Sequence, residues 1–175
     1  MVQKLLLGVV ILLLLAIGAW GLAASRRAAR FGEVPQNLRL MYEGATNFGV
    51  RYLARPVAER IRPNFPVSSP ITPESPCCQK GHPAPCAPGG KTPTAYSPAV
   101  WKQTPFVELG FALKDPHRYR YSFTSFEPGD VLRFEVSAHG DVDCDGVLSR
   151  FYRQGQVLGF EVTGPLEIFS ENPQE

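Results

Sequence analysis

The longest apolar stretch of the chain lies near its start. The twenty residues from Leu5 to Ala24 carry no charged side chain, and as a helix they would span roughly 30 Å, about the thickness of the hydrocarbon core of a bilayer. The stretch predicts a membrane-spanning helix, with a transmembrane anchor and basic flank over residues 1–30. A cleaved signal peptide is the alternative, because Lys4 precedes the stretch and Ala23-Ala24-Ser25 offers small residues at its end.

A second pattern follows, in which apolar residues recur every three or four positions. They are Leu38, Met41, Tyr42, Ala45, Phe48, Gly49 and Tyr52, and the opposite face carries Arg39, Glu43, Asn47 and Arg51. This spacing predicts an amphipathic helix over residues 31–55 whose apolar face packs on a core. Gly32 and Pro35 predict an interruption between this helix and the preceding apolar stretch.

The last third of the chain alternates in the manner of β-strands. Tyr119, Tyr121 and Phe123 alternate with polar residues, as do Leu132, Phe134 and Val136. The segment Glu127-Pro128-Gly129-Asp130 between them predicts a turn, and therefore an antiparallel hairpin. Gly146 to Arg153 and Leu158 to Val162 predict a third and a fourth strand.

These elements predict an α+β fold. A long N-terminal helix, membrane-spanning and then amphipathic, would pack on a small antiparallel sheet of about four strands. The sheet and the C-terminal region would occupy residues 106–175 of a domain that covers residues 31–175. Residues 56–105 lie between helix and sheet and hold twelve of the seventeen prolines, which predicts a loop with little regular structure.

The cysteines bear on both the loop and the compartment. Cys77, Cys78 and Cys86 lie in the Pro-rich loop, and Cys144 lies among the strands. In a small domain these cysteines indicate disulfides and an oxidising compartment. Because pairing adjacent cysteines demands unusual geometry, we expect Cys144 to join one of the three loop cysteines. A zinc site built from the loop cysteines with His82 or Cys144 is the alternative.

The charged residues are informative through their local distribution rather than through the net charge. The net charge is +2, from 18 basic and 16 acidic side chains, which gives no reason to expect nucleic acid as a partner. Arg26, Arg27 and Arg30 after the apolar stretch would place the C-terminal part in the cytoplasm by the positive-inside rule. The cysteines point the other way, and we predict an extracytoplasmic domain. Between Arg26 and Arg62 there are eight arginines and three glutamates, whereas four glutamates and no basic residue follow Arg153.

A set of short motifs within about residues 35–175 carries a family resemblance. The motifs are Asn37-Leu38-Arg39-Leu40-Met41-Tyr42, Phe65-Pro66, Cys77-Cys78, Cys86, Trp101, Leu109-Gly110-Phe111, Asp115-Pro116-His117-Arg118-Tyr119-Arg120-Tyr121 and Gly140-Asp141-Val142-Asp143-Cys144-Asp145-Gly146. In their order they resemble type IV pilin-like proteins of deltaproteobacterial type, pilins or pseudopilins. The N-terminus is atypical for that family, since no glycine in the apolar stretch precedes a phenylalanine and no acidic residue precedes Glu33.

The resemblance implies a structural role. The chain would be a subunit of a type IV pilus or of a type II secretion-like pseudopilus, with pilin or pseudopilin subunits, a second copy of itself included, as partners. It would lie in the inner membrane as a single-pass protein with a periplasmic domain, next to the assembly platform, and would reach the cell surface in a filament. A stand-alone, membrane-anchored extracytoplasmic binding domain that does not polymerise is the alternative.

One motif suggests a cation. Asp141, Asp143, Asp145 and Gly146 form D-x-D-x-D-G, the first half of a calcium-binding loop, and the Val147 carbonyl is a fourth candidate ligand. Tyr152 stands where the bidentate glutamate of such a loop is expected. The alternative is a polar turn in which the aspartates bond their own backbone.

No residues suggest catalysis. His82, His117 and His139 have no serine or cysteine beside them in a recognisable nucleophile turn, so the sequence predicts no enzyme and no cofactor other than calcium. We expect His117 and His139 at strand ends or edges. Trp101, Phe106 and Phe111 suggest core packing rather than a ligand platform.

Overall fold

The computed structural model describes residues 32–59, 65–126, 132–158 and 161–173. In chain order their elements are α1 (Glu33–Leu53), a 3-10 helix (Val57–Glu59), β1 (Cys78–Gln79), β2 (His82–Pro83), β3 (Ala87–Pro88), β4 (Ala95–Tyr96), a second 3-10 helix (Pro98–Lys102), α2 (Phe106–Leu109), β5 (Arg120–Phe126), β6 (Arg133–Gly140), β7 (Ser149–Leu158), β8 (Glu161–Thr163) and β9 (Phe169–Glu171).

Helix α1 is amphipathic along its whole length of 21 residues. Its buried face consists of Val34, Leu38, Met41, Ala45, Gly49 and Tyr52, spaced by three or four positions. Arg39, Glu43 and Asn47 are exposed on the outer face, where Arg39 and Glu43 form an i,i+4 ion pair of 2.7 Å. Pro35 lies in the first turn, where its missing N–H would have no partner within the helix in any case, so the helix includes it.

The central sheet is antiparallel and has five strands among the described residues. Strands β5, β6 and β7 pair in sequence order, and β8 and β9 both pair with the remaining edge of β7. Thr163 lies opposite Gln156 and Phe169 opposite Tyr152. Residues 164–168 therefore lie opposite only residues 153–155. The two extra residues push this segment out of the sheet as a bulge.

The core lies between α1 and one face of this sheet. Its fully buried members are Leu38, Met41 and Ala45 from the helix and Tyr121, Phe123, Phe134, Val136 and Ala138 from β5 and β6. The Asn37 side-chain amide donates a hydrogen bond of 2.7 Å to the Tyr121 hydroxyl, which gives that buried oxygen a partner. On one flank of α1, Gly44 lies against the Leu109 backbone of α2 so closely that a β-carbon would meet the carbonyl oxygen.

The fold class predicted from the sequence is wrong. The prediction was a long helix that first spans a membrane and then becomes amphipathic. This helix would pack on an antiparallel sheet of about four strands. None of the helices in the described ranges combines the length and the apolar character needed to cross a membrane. The arrangement of these residues is mostly β, with nine strands and two α-helices, one of them only four residues long. The physical reason is that β7 extends to Leu158 and its free edge takes two further strands, while the outer face of α1 is charged.

Other boundaries differ as well. The predicted third strand, Gly146 to Arg153, is β7 shifted to Ser149–Leu158, and the predicted fourth is β8 at Glu161–Thr163. The Pro-rich loop contains four two-residue strands in two small sheets, which its composition did not predict. The predicted span Leu5–Ala24 and the predicted turn Glu127–Asp130 lie outside the described residues.

Candidate functional site

All four cysteines are paired, and the pairs fasten the Pro-rich loop to the sheet. Cys77 bonds Cys86, and Cys78 bonds Cys144 across a sequence separation of 66 residues. Disulfides are therefore present, and the zinc alternative fails because no thiolate remains to bind a metal. The Cys78–Cys144 bridge lies beside the Asp141 carbonyl oxygen, which is 3.4 Å from the Cys78 sulfur.

The other disulfide is fixed to the sheet by backbone hydrogen bonds. Cys86 and His117 exchange two of them, with N–O distances of 2.8 and 3.0 Å. Upstream, Thr72 and Tyr121 exchange two more, both of 2.8 Å. Ser69 also donates a backbone hydrogen bond of 2.8 Å to the Phe123 carbonyl oxygen, so the Pro-rich loop follows the edge of β5, and the Cys78–Cys144 bridge joins it to the β6–β7 connection.

The three aspartates of the β6–β7 connection converge as their spacing predicts. Carboxylate oxygens of Asp141, Asp143 and Asp145 all lie within 4.8 Å of one another. Asp141 accepts hydrogen bonds of 3.1 Å from both the Asp145 and the Gly146 backbone N–H groups. Asp145 accepts a bond of 2.7 Å from the Val147 N–H. Gly146, at φ +95°, and Cys144, at φ +66°, take the left-handed conformations that turn the chain back on itself.

This geometry is compatible with a hard cation without requiring one. Each carboxylate accepts one or two backbone hydrogen bonds, as in the polar turn, and has lone pairs left for an ion. The connection joins two strands, and Tyr152 lies within β7 with its ring stacked on Phe169 at 5.4 Å. Tyr152 therefore adds no cation ligand to the aspartate loop. Calcium at Asp141, Asp143, Asp145 and the Val147 carbonyl stays a prediction.

A positive group lies near the aspartates. The Arg120 guanidinium donates a hydrogen bond of 2.9 Å to the Glu74 carbonyl oxygen. Burial lowers the pKa of Arg120, and the charge of Asp141 opposes that shift. Arg120 therefore already neutralises part of the negative charge that a cation at the loop would use.

His117 lies just before β5, near the strand end expected from the sequence, and its buried side chain takes part in a hydrogen-bond chain. The Tyr119 carbonyl oxygen lies 2.7 Å from Nδ1 and can only accept, so Nδ1 carries the proton. Nε2 then accepts from the Tyr96 hydroxyl at 2.8 Å, and that oxygen accepts from Trp101 Nε1 at 2.9 Å. Burial lowers the pKa of His117 to about 4 and raises that of Tyr96 to about 12.

The aromatic residues around this chain form part of the core. Trp101, Phe106 and Phe111 are each no more than 3% exposed. The Trp101 ring meets the other two edge to face, with centroid distances of 4.8 and 5.5 Å. These contacts favour packing over the ligand-platform alternative.

A polar cluster on the sheet face away from α1 was missed by sequence reasoning. Glu135 is only 4% exposed and pairs with Arg150 at 2.6 Å. Gln154 and Ser137 also donate to its carboxylate, at 3.0 and 3.2 Å. The alternation of β6 places these residues on the face opposite the core, where sequence alone suggests exposure. They are buried because the long side chains of β7 cover them.

His139 belongs to the same cluster; it is the penultimate residue of β6, near a strand end as expected, and its side chain is buried. Its Nε2 lies 3.0 Å from Ser122 Oγ, a serine–histidine proximity that the sequence did not reveal. Burial first, and then the charges of Arg150 and Arg120, lower the pKa of His139 to about 4. Ser122 is 7% exposed in the middle of β5 and also contacts Ser137. The pair therefore serves to satisfy buried polar atoms, and we assign it no catalytic role.

One groove formed by described residues lies beside the C-terminal half of α1. It has a volume of about 340 Å³ and is lined by Phe48, Arg51, Tyr52, Arg55, Val107 and Glu108. Its apolar part comes from both α1 and α2. No histidine, serine or cysteine lines it, so it resembles a docking surface more than a reaction centre.

Comparison of the chain with protein-family models, with curated proteins and with solved structures finds no match. The resemblance to type IV pilin-like proteins therefore rests on the sequence motifs alone.

Proposed function

We propose that this protein is a structural subunit of a type IV pilus or of a type II secretion-like pseudopilus. Its partners would be pilin or pseudopilin subunits, a second copy of the chain included, together with the assembly platform at the inner membrane. The domain beginning near Phe31 would lie in the periplasm and, in a filament, at the cell surface.

The observation that carries the proposal is the packing of the amphipathic helix α1 on an antiparallel sheet to which disulfides fasten a Pro-rich loop. Two disulfides hold the Pro-rich loop on this body, which suits an oxidising compartment outside the cytoplasm. Arg51, Leu40 and Val50 remain exposed on the helix, with the two apolar side chains 49% and 48% exposed. A disulfide-fastened domain with exposed apolar and charged helix positions is suited to repeated protein contacts.

The function is tested by asking what the chain touches in cells. An affinity tag follows Glu175, the cells are treated with a short amine-reactive cross-linker, and the captured proteins are identified by mass spectrometry. Pilin-like subunits or further copies of the chain are expected. Recovery of the chain only as single copies, with no such subunit, would favour the stand-alone binding domain instead.

The location has a separate test. A reporter enzyme that works only in the periplasm should be active when fused after Glu175, because the disulfides require an oxidising compartment. Activity of a strictly cytoplasmic reporter at the same position would show that the arginines after the apolar stretch determine the orientation.

Calcium is proposed as a ligand of the aspartate loop, on the convergence of its three carboxylates. Millimolar calcium should raise the melting temperature of the purified protein, and Asp143→Ala should remove that increase. Asp115→Ala, at an exposed aspartate outside the loop, serves as the control. An identical melting temperature with calcium and with chelator would leave only the hydrogen-bonded turn.

A further inference from the structure

The bulge between β8 and β9 exposes an apolar side chain. Leu166 is 87% exposed, and Pro165 and Glu167 on either side are exposed too. The bulge begins at Gly164, where a β-carbon would lie 2.4 Å from the Gln154 carbonyl oxygen and 2.7 Å from the Tyr42 hydroxyl. Only glycine fits there, so the chain packs tightly at the base of the bulge and then projects Leu166 outward.

The groove beside α1 has the complementary character. Phe48, Tyr52 and Val107 give it an apolar surface, and Val107 is 57% exposed. Arg51 lies at the same groove, is exposed, and forms no ion pair with another residue of the described ranges. Glu108 also lines the groove and offsets part of this positive charge.

The bulge and the groove lie on opposite flanks of α1. Gly44 contacts Leu109 on the flank that carries the groove, and Gly49 contacts Val162 on the flank that carries the bulge. Five positions along a helix correspond to a rotation of about 140°. A chain therefore presents its own bulge away from its own groove, and the two surfaces are both available to other molecules.

We propose that the groove binds the bulge of a second copy of this chain. Leu166 of one copy covers Phe48 and Val107 of the next, and Glu167 pairs with Arg51. The inference rests on the proposed structural function and specifies one contact between its subunits. Because the two surfaces differ, the contact is heterologous and repeats from copy to copy, as a filament requires.

Charge favours a copy of the chain over an unrelated occupant. The segment after Arg153 contains four glutamates and no basic residue, and among them Glu161 and Glu167 are exposed on or near the bulge. An acidic segment with one projecting leucine matches an apolar groove that carries arginine in charge and in apolar character.

The test is photo-cross-linking of the full chain in cells. A photoreactive phenylalanine analogue replaces Val107, which leaves Arg51, Leu166 and Glu167 unchanged. A tagged copy that carries the analogue is co-expressed with a differently tagged copy that lacks it, so that links between copies are distinguished from links within one. Links from position 107 to residues 165–167 of a different copy are expected.

Charge reversal makes the test specific. Arg51→Glu and Glu167→Lys should each lower the yield of this link about tenfold, and the double variant should return it to within about twofold of the starting yield. Glu161→Lys, an exposed charge reversal outside the bulge, should leave the yield unchanged. Glu108→Gln should raise it, because the competing carboxylate is removed from the groove.

Isolation of sheared filaments in parallel distinguishes a failure of this contact from a failure of the proposed structural function. Links within one chain, links to an unrelated protein, or a yield that ignores the reversals would overturn this contact. If the chain is nevertheless found in filaments, the proposed function stands and only the contact falls. If it is absent from filaments and no copies are linked, both fall.

Discussion

At the scale of single residues, the two interior histidines are buried in their neutral form. His117 and His139 are 4% and 9% exposed, and the pKa of each is lowered from 6.5 to about 4, first because of burial. Between these two pH values the unfolded chain binds protons that the folded chain does not. Each histidine therefore makes its whole contribution to the free energy of unfolding above about pH 6.5. As the pH falls toward 4 that contribution is lost, up to about 3 kcal/mol for each histidine.

His117→Gln and His139→Gln test this dependence separately. Each variant should reduce the pH dependence of the free energy of unfolding between pH 4 and 6.5 by about one proton, measured by urea titration at several pH values. His82→Gln, at an exposed histidine, is the matched surface control. If the free energy of unfolding changes with pH as steeply in both interior variants as in the original chain, these histidines do not remain neutral in the fold.

Glu135 is the other residue whose burial has a measurable consequence. Its carboxylate receives bonds from Arg150, Gln154 and Ser137, so Glu135→Ala leaves the partly buried Arg150 guanidinium with one carboxylate partner, the exposed Glu171. We expect a loss of about 3 kcal/mol in the free energy of unfolding. Glu171→Ala removes a side chain that is 55% exposed and should cost less than about 1 kcal/mol. Equal losses in the two variants would contradict the importance of burial here.

At the scale of elements, the approach of α1 to α2 determines how the groove is formed. A β-carbon at Gly44 would lie 2.1 Å from the Leu109 carbonyl oxygen, which belongs to the backbone and has little room to move. Gly44→Ala should therefore destabilise by about 2–3 kcal/mol through overpacking, although helix propensity alone predicts a gain of about 1 kcal/mol. Asn47→Ala, on the exposed face of the same helix, should show the small gain. A stabilised Gly44→Ala variant would show that the helices do not approach so closely.

The two disulfides close loops of different length, and their removal should differ accordingly. Loop-closure entropy predicts a loss of about 4 kcal/mol for Cys78→Ser with Cys144→Ser, which opens a separation of 66 residues. For Cys77→Ser with Cys86→Ser, with a separation of nine, the same relation gives about 2.5 kcal/mol. Chemical denaturation of the two paired variants without reductant measures both values. The reverse order would indicate that native contacts of the loop outweigh chain entropy.

Local patterns in the sequence predicted part of these elements. The three-and-four spacing from Leu38 to Tyr52 coincides with the buried face of α1, and the alternation around Tyr121 and Phe134 coincides with β5 and β6. The fold class failed partly because no sequence pattern indicated β9, whose position follows from pairing with β7, or the four two-residue strands of the Pro-rich loop.

The features of the candidate site also differ in how far local sequence predicts them. The convergence of Asp141, Asp143 and Asp145 follows from spacing within one turn, and the sequence predicted it. The choice of Cys78 as partner of Cys144 depends on where the Pro-rich loop meets the sheet, and the sequence left it open. The proximity of Ser122 to His139 and the groove beside α1 both depend on long-range packing, which no local motif encodes.

At the scale of the whole molecule, the described residues form a domain fastened by two disulfides, and the proposal is that this domain contacts other pilin-like subunits. The most direct test of this proposal is the composition of filaments sheared from cells that produce the untagged chain. The account predicts peptides of the chain in the filament fraction, with Cys78 still bonded to Cys144 when digestion is carried out without reductant. Filaments that assemble normally and contain no peptide of the chain, while the chain is retained in the cells, would contradict its role as a structural subunit.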